Sequence, residues 1–589
     1  MLFRHTVRPS SKTVVGEVQQ GAASADSRID VNKAFSPVMD FGNPALYELL
    51  TESAKRNPNN PCIYYQGKTL TYAEVDELSS RFASGLRSLG LEKGDRVAMV
   101  LPNTPQFVIS YFGIMKAGGV VVPCSVLYKP EELEHQLKDS GATFVIGTNN
   151  VVTSKAKKDG KTVKSKNDLF ESLEYCREKL DLKQVITTSV TDYLPGVKSH
   201  LAWLKGIKMV ARAGAVDFKR LVKSNEPIES FNLVSDSRNE TALIQYTGGT
   251  TGVSKGAMLT NYNLYSNAKY ISASFPMTGN DVSMCVLPLY HIYGMTATMN
   301  SAISAGAKLV LLPNFHVKEV MKAIEKQEVT LFCAVPAIYN AIISNPKSGK
   351  YDLSSVRACV SGGAGLPEAI RDKFVKLTGG TLVEGYGLTE ASPLAICNPL
   401  HDGVAKTGSI GIPIPETEVR IVDIDDHSKI LGVGEAGELA IRGPQVMKGY
   451  YNRPEETAKV MIDDGFMLTG DVAHVDETGR VYIEDRKKDM INVGGLKVYP
   501  KEVEEVLFGN GAVADAAAVS YPDSFSGEVV KAFIVLKPGA SMTEEELIDY
   551  CSEKLAKYKV PRHVEFVSEL PKTLIGKVIK RELRDRNQN

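Results

Sequence analysis

The sequence has no excess of charge of either sign: Lys+Arg and Asp+Glu both number 69. That balance argues against a protein whose main work is coating nucleic acid or an anionic membrane, so any basic patch must be local. Nor does it contain about 18 uncharged apolar residues in a row, the length a membrane-spanning helix requires. Cysteine is sparse: Cys62, Cys124, Cys176, Cys285, Cys333, Cys359, Cys397 and Cys551 are scattered, with no C-x-x-C and no metal-ligand spacing to the nine histidines. Such thiols are expected to be buried small apolar groups in a reducing compartment, not a disulfide framework. Tryptophan occurs once, as Trp203.

The amino terminus, "MLFRHTVRPSSKTVVG", also lacks an apolar core, which argues against a secretory signal. Its Arg4, Arg8 and Lys12, without an acid, weakly resemble a mitochondrial presequence, while a disordered tail over 1–44 is the alternative we adopt. A cytoplasmic protein is expected, with peripheral membrane attachment and a mitochondrial location left open.

What is present is a chain too long for one core, because single domains hold roughly 100–200 residues. From about 45 to 150, helical patterns alternate with β-rich runs such as "RVAMVLP" and "GGVVVPC". The alternation returns from about 240 to 415 in "TALIQYT", "SMCVLPL", "AKLVLLP", "TLFCAVP" and "VRACVSGG". The pattern predicts an α/β fold with parallel strands that deliver loops at their carboxyl ends, where open sheets place ligands. Between the two segments, 151–235 is lysine-rich and reads as an insertion. Its stretch at about 190–212 mixes Leu194, Leu201, Trp203, Leu204, Ile207, Met209 and Val210 with Lys198, Lys205, Lys208 and Arg212. Both an interfacial amphipathic helix and a surface helix packed on the core fit that mixture. Charge density rises again in "YIEDRKKDMINVGGLKVYPKEVEEVL", and a domain boundary is placed near 486.

The chemistry starts in "YTGGTTGVSKGAM" (246–258). It is not a Walker loop, since Lys255 follows Ser254 and no hydroxyl residue follows the lysine. Backbone amides at Gly248, Gly249 and Gly252 can still turn onto an anion, with Thr247, Thr250 and Thr251 as further donors. In "YGLTE" (386–390), Tyr386 suits stacking on a purine, Thr389 donation to a phosphate, and Glu390 a hard divalent cation. "SGGAGLP" (361–367) offers small residues against which a flat base can lie, and "FMLTGD" ends in Asp471, an acceptor for ribose hydroxyls. Each alone also reads as a loop or cap.

Together and in this order, continued by "DRKKDMINVGGLKVYPKEVE" (485–504) and "PKTLIGK" (571–577), they resemble the adenylate-forming superfamily of acyl-CoA ligases, luciferases and peptide-synthetase adenylation domains. The resemblance covers nearly all of 45–580. It implies a large N-terminal domain of packed β-sheets and helices, 45–485, and a small hinged C-terminal α+β domain, 486–589. It also implies Lys577 as the catalytic lysine, assisted by Thr247, Glu390 and His291. ATP or AMP is expected at Thr247, Gly248, Gly249, Thr250, Thr251, Lys255, Gly363, Ala364, Glu384, Gly385, Tyr386, Gly387, Thr389, Asp471, Ile483, Arg486 and Lys577. Mg2+ is expected on Thr247 and Glu390. The implied acyl pocket comprises His291, Gly294, Val335, Pro336, Gly362 and Gly387. Lys488 stands at the hinge, where many relatives have aspartate, and Gly494 and Gly495 are the CoA-facing positions.

The implied reaction converts a carboxylate and ATP to an acyl-adenylate and then, with CoA, to a thioester. Amino-acid-activating relatives carry an aspartate just after the aromatic of "LPLYHIYG"; His291 and Ile292 here disfavour an amino acid. The insertion with "VTDYLPGVKSHL" resembles that of bacterial-type long-chain fatty-acid ligases, pointing to medium- or long-chain fatty acids. A fatty acyl-AMP ligase that loads a carrier protein, a CoA ligase for an aryl or short-chain acid, and an idle nucleotide- or lipid-binding protein are the alternatives. Fatty acid and CoA are the expected partners, with no nucleic acid; homodimerisation and membrane contact stay open.

Overall fold

Short β-branched runs bounded by turns form strands here because both of their faces are covered. The computed structural model describes residues 39–158, 161–196, 198, 208–209, 214–228, 233–247, 254–400, 406, 408–572 and 578–586. Gly248, Gly249, Thr250, Thr251, Trp203 and Lys577 lie outside the described residues, as does most of 197–213.

Two large sheets dominate the N-terminal part. In the first, the order is Ile412–Pro413, Leu394–Cys397, Thr381–Gly387, Ala358–Ser361, Leu331–Ala334, Val282–Cys285, Lys308–Leu311, Pro61–Tyr65 and Lys68–Thr71. Its strands from Thr381–Gly387 to Pro61–Tyr65 run parallel. In the second, Val216–Asp217, Gln184–Thr188, Phe144–Thr148, Arg96–Val100, Val120–Pro123 and Thr241–Thr247 run parallel. Lys255–Thr260 and Gly449–Tyr450 then add antiparallel. The expected α/β architecture is therefore present, but the chain passes between two sheets, and Thr241–Thr247 belongs to the sheet of the first segment. Alternation reveals strands and not their partners, because every buried strand presents the same apolar pattern.

The helix Tyr72–Ser88 shows how the cover forms. Thr71 and Glu74 make a reciprocal capping box that satisfies two end amides, and Val75, Phe82 and Leu86 recur on its buried side. Phe82 meets Phe218 at 4.8 Å between ring centroids. Phe218 comes from the stretch read as an insertion, and so do the strands Gln184–Thr188 and Val216–Asp217. The lysine-rich flanks concealed these core pieces; only the small sheet of Asn150–Lys158, Lys161–Asp168 and Lys208–Met209 stands off the main one. The expected tail to 44 is also shorter, since Phe41 packs edge-on against Tyr262, Tyr265 and Tyr270.

A four-stranded antiparallel sheet, Glu418–Val422, Gly437–Arg442, Met467–Val475 and Val481–Arg486, completes the large part. The small C-terminal part has its own core, with Ile491, Val503, Leu507, Ala518, Ile534 and Leu547 buried between Val513–Asp523, Gly527–Leu536 and the helices Pro500–Phe508 and Glu544–Ser552. Every one of the eight cysteines is free and buried, as their scatter predicted. Among the described residues no helix is long and apolar enough to cross a membrane.

Candidate active site

The antiparallel pair Thr241–Thr247 and Lys255–Thr260 forms the stem of the glycine-threonine loop. Thr247 lies opposite Lys255 in register, and the Ser254 hydroxyl donates to the Thr247 carbonyl, so the stem closes at the loop's base. Lys255 leaves the stem toward Gly449–Tyr450, which pairs with the same strand. Its ammonium stands 5.0 Å from the centre of the Tyr450 ring and makes an ion pair with Glu456. The Tyr450 hydroxyl donates to Glu390 Oε1 at 2.8 Å, and Met447 N–H donates to the Glu390 carbonyl at 2.7 Å. One tyrosine thus joins the loop lysine to the candidate metal carboxylate.

A second group lies at the end of Thr381–Gly387. Tyr386 donates its hydroxyl to Asp471 Oδ2 at 2.6 Å, and Arg486 Nε lies 3.5 Å from Asp471 Oδ1 across the strand pair. Burial and the Asp471 charge push the phenol far above its ordinary pKa, so it stays a donor. Glu384, opposite Ser361, accepts from Leu366 N–H at 3.3 Å beside the loop that carries Gly362, Gly363 and Ala364. Burial raises Glu384 to about 7, opposed by that hydrogen bond and by Lys501. Gly385 and Gly387 follow in the strand, and Thr389 opens the single turn Thr389–Ala391. At Gly387 a Cβ would sit 2.0 Å from the Pro393 carbonyl oxygen, so no side chain fits there. Ile483 packs on the core, and its carbonyl accepts from Lys501 Nζ at 2.7 Å.

The candidate acyl wall adjoins both groups. Gln245, two residues before Thr247, donates to the Tyr290 carbonyl at 3.1 Å and fixes the turn carrying His291. His291 Nδ1 accepts from Tyr293 N–H at 3.2 Å, which leaves Nε2 as the donor of a neutral ring. Desolvation lowers its pKa to about 4, although the residue keeps some exposed surface. Tyr293–Asn300 is a π-helix, and a Cβ on Gly294 would fall 2.4 Å from the Pro288 carbonyl oxygen. The Tyr293 hydroxyl donates to Val360 O at 2.8 Å, laying its ring against Gly362. Val335 and Pro336 begin the helix Pro336–Ile343 at the end of the adjoining strand.

On the small domain, the described residues on either side of 573–577 are tied down. Lys572 bridges to Val578, Lys572 Nζ lies 2.5 Å from Asp515, and Lys580 Nζ lies 2.9 Å from the half-buried Glu504. Lys488 lies between two anchored neighbours: Lys487 donates to Glu438 Oε2 at 2.7 Å and to Ile424 O at 2.8 Å, whereas Asp489 accepts from Arg584 at 2.9 Å. Lys488 itself is lowered to about 8, first by burial and then by Arg486. Gly494 and Gly495 form the tip between Ile491–Val493 and Leu496–Val498, with φ of 58° and 88°, the left-handed region that glycine enters at no steric cost.

Sequence reasoning missed Tyr450, Glu456, Gln245 and Tyr293. Gln245 and Tyr293 stood inside quoted stretches, but nothing in the sequence said what each would face. Among the described residues, no cluster of three or more acidic, histidine or cysteine side chains is placed to hold a metal by itself.

A doubly sheeted large domain, a hydroxyl-rich loop on an antiparallel stem, an aromatic-carboxylate pair and a small domain bearing the terminal lysine loop define an adenylate-forming enzyme. The chain belongs to the AMP-binding enzyme family, whose model matches residues 50–451, with the AMP-binding enzyme C-terminal domain matching 502–577. It is 42% identical over 552 residues to a long-chain-fatty-acid–CoA ligase of Bacillus subtilis, covering 92% of this chain and 94% of the relative. It is 39% identical to one of Salmonella typhimurium, with the same coverage. Among solved structures it resembles ATP-bound MatB from Rhodopseudomonas palustris, with TM-score 0.80 and 27% identity over 93% of this chain and 99% of that one.

Proposed function

We infer that this protein is an AMP-forming fatty acid–CoA ligase. The observation that carries the reading is that the three groups are linked: Gln245, two residues before Thr247, donates to the Tyr290 carbonyl at the His291–Tyr293 turn, and the short segment from Tyr386, bonded to Asp471, to Glu390, bonded to Tyr450, joins the other two. The names of its relatives support the fatty acid as substrate and CoA as acceptor.

In the first step a carboxylate oxygen attacks the α-phosphorus of ATP and the bond to diphosphate breaks, leaving an acyl-adenylate. Lys577 bridges the attacking carboxylate and the α-phosphate as charge develops, and its long cationic chain suits that reach. Thr247, Lys255 and the loop between them hold the β- and γ-phosphates. Tyr386, Asp471 and Arg486 hold the adenosine, with Gly363, Ala364, Glu384, Gly385 and Ile483 forming its surroundings. The donor set fits Mg2+ brought in with the nucleotide, because a single carboxylate and a hydroxyl complement phosphate oxygens without an all-protein cage. Such an ion supplies charge neutralisation on the phosphates. Glu390, oriented by Tyr450, and Thr247 are the residues that would hold it.

In the second step the CoA thiol attacks the adenylate carbonyl and AMP leaves. We assign the exchange of sites to rotation at Lys488, which withdraws Lys577 and brings Gly494 and Gly495 to the thiol. His291, neutral at physiological pH, donates from Nε2 near the carboxylate end of the acid. The apolar lining near Gly294, Val335, Pro336 and Gly362 receives the chain. The test is CoA-dependent AMP release across acids from acetate to oleate. Release that rises from acetate to medium and long chains supports the reading. Release confined to short or aryl acids would overturn the fatty-acid assignment, and diphosphate release with a fatty acid but no AMP release on adding CoA would favour a carrier-protein acceptor.

A further inference from the structure

One acidic residue beside the site has no place in that mechanism. Glu456, on the short helix Pro454–Ala458, accepts an ion pair from Lys255 on one carboxylate oxygen and from Lys459 on the other. The Lys255 and Glu456 side chains are each 28% exposed, so the pair sits at the rim of the phosphate stem and not in bulk solvent.

The pair is held by a frame that also holds the loop's root. Asp139, itself only 12% exposed, accepts from the Tyr246 hydroxyl at 2.7 Å and from Arg453 Nη2 at 2.6 Å. Tyr246 immediately precedes Thr247, and Arg453 immediately precedes the helix of Glu456. Tyr451 N–H donates to Gly256 O at 2.8 Å, and Tyr450 N–H to Thr457 Oγ1 at 2.9 Å. Glu456 is therefore aimed at Lys255 by structure that moves with the stem, not by a wandering surface chain. The Tyr450 ring, 5.0 Å from the ammonium, guides Lys255 along the same wall toward Glu390.

A lysine that binds departing diphosphate too well slows its release, and a fixed carboxylate offers that lysine another partner. We propose that Glu456 is a resident counter-anion that competes with the phosphates for Lys255, admitting ATP and recapturing the lysine as diphosphate leaves. This rests on the reading of Lys255 as a phosphate-holding residue. Asp139 and Arg453 are positioning residues in this arrangement, because they reach Lys255 only through Glu456 and the stem.

The experiment uses the full chain, with diphosphate as an added inhibitor of CoA-dependent AMP formation. Glu456→Gln removes the competing charge and is expected to lower the inhibition constant of diphosphate by about five- to ten-fold, the range of a close charge pair of modest coupling energy. The KM for MgATP is expected to fall with it. Glu456→Asp keeps the charge and should lie between wild type and Glu456→Gln, giving a second variant should the first fold poorly. An unchanged or raised inhibition constant in both overturns the proposal. Lys255→Met separates it from the reading beneath: that change must weaken both MgATP and diphosphate, and if it weakens neither, the phosphate role of Lys255 fails. If Lys255→Met weakens both while Glu456→Gln tightens nothing, the phosphate role stands and the counter-anion falls. In the double variant Glu456→Gln should add nothing, since its partner is gone; tightening that persists without Lys255 would also overturn the competition.

Discussion

Glu384 and Tyr450 each take their properties from a single contact set. Glu384 titrates near 7 because burial outweighs the Leu366 N–H and the Lys501 charge. A carboxyl raised in the fold loses stability as pH rises from its unfolded value of about 4.5 through 7, because the folded state then has to ionise a buried group. Glu384→Gln is neutral throughout, so its stability should match wild type at pH 4 and exceed it at pH 8 by roughly 2 kcal/mol after allowing for partial solvation, with a correspondingly higher thermal midpoint. Melting curves at the two pH values check this, and a variant less stable at pH 8 would show that the carboxylate has a cation partner in solution. Tyr450 orients Glu390 through one hydrogen bond of 2.8 Å. Tyr450→Phe keeps the ring beside Lys255 and deletes that bond, so adenylation should slow by about ten-fold, as the loss of a hydrogen bond to a charged group implies. The Mg2+ dependence of single-turnover diphosphate release is the readout, and an unaltered rate would remove Tyr450 from the site. Neither role could be read in the sequence, because each depends on which neighbour burial supplies.

At the scale of elements, the strands were legible and their grouping was not. "TALIQYT", "TLFCAVP" and "VRACVSGG" do form strands ending at the site, and the residues of "YGLTE" and "FMLTGD" do meet, through Tyr386 and Asp471. Order along the chain carried that much because each loop is short and sits at its strand's carboxyl end. The clamp of Asp139 on both Tyr246 and Arg453 had no sequence signal, since its three members are separated by long stretches of unrelated chain. The strands Gln184–Thr188 and Val216–Asp217 and the helices Leu169–Lys179 and Phe218–Ser224, all within 151–235, were masked by their charged surroundings. The described flanks of the Lys577 segment are held by elements as well: Lys572 to Asp515 at 2.5 Å on one side, Lys580 to Glu504 on the other. Asp515→Asn loosens one side only. It should lower adenylation several-fold while leaving thioester formation from supplied acyl-adenylate near wild type, because Lys577 serves only the first step in this account. Equal loss of both, measured on the two half-reactions, would mean that Asp515 supports the small domain as a whole.

For the whole molecule, the proposed function asks one small domain to serve two reactions, and the residues beside Lys488, the proposed hinge, are anchored. The Lys487 side chain is tied to Glu438 and Ile424 of the large domain and that of Asp489 to Arg584 of the small one, while the Asp489 and Met490 N–H groups close a turn on the Arg486 carbonyl. A chain so bracketed can present Lys577 for adenylation and withdraw it for thioester formation without unfolding either part. The measurement that tests this most directly is a pair of half-reactions on Lys577→Ala: diphosphate release from ATP and a fatty acid, and conversion of supplied acyl-adenylate to acyl-CoA. The account predicts that the first is abolished, by about a thousand-fold or more as for loss of a main electrostatic stabiliser, while the second proceeds at close to the wild-type rate. Equal loss of both, or survival of the first, would contradict it.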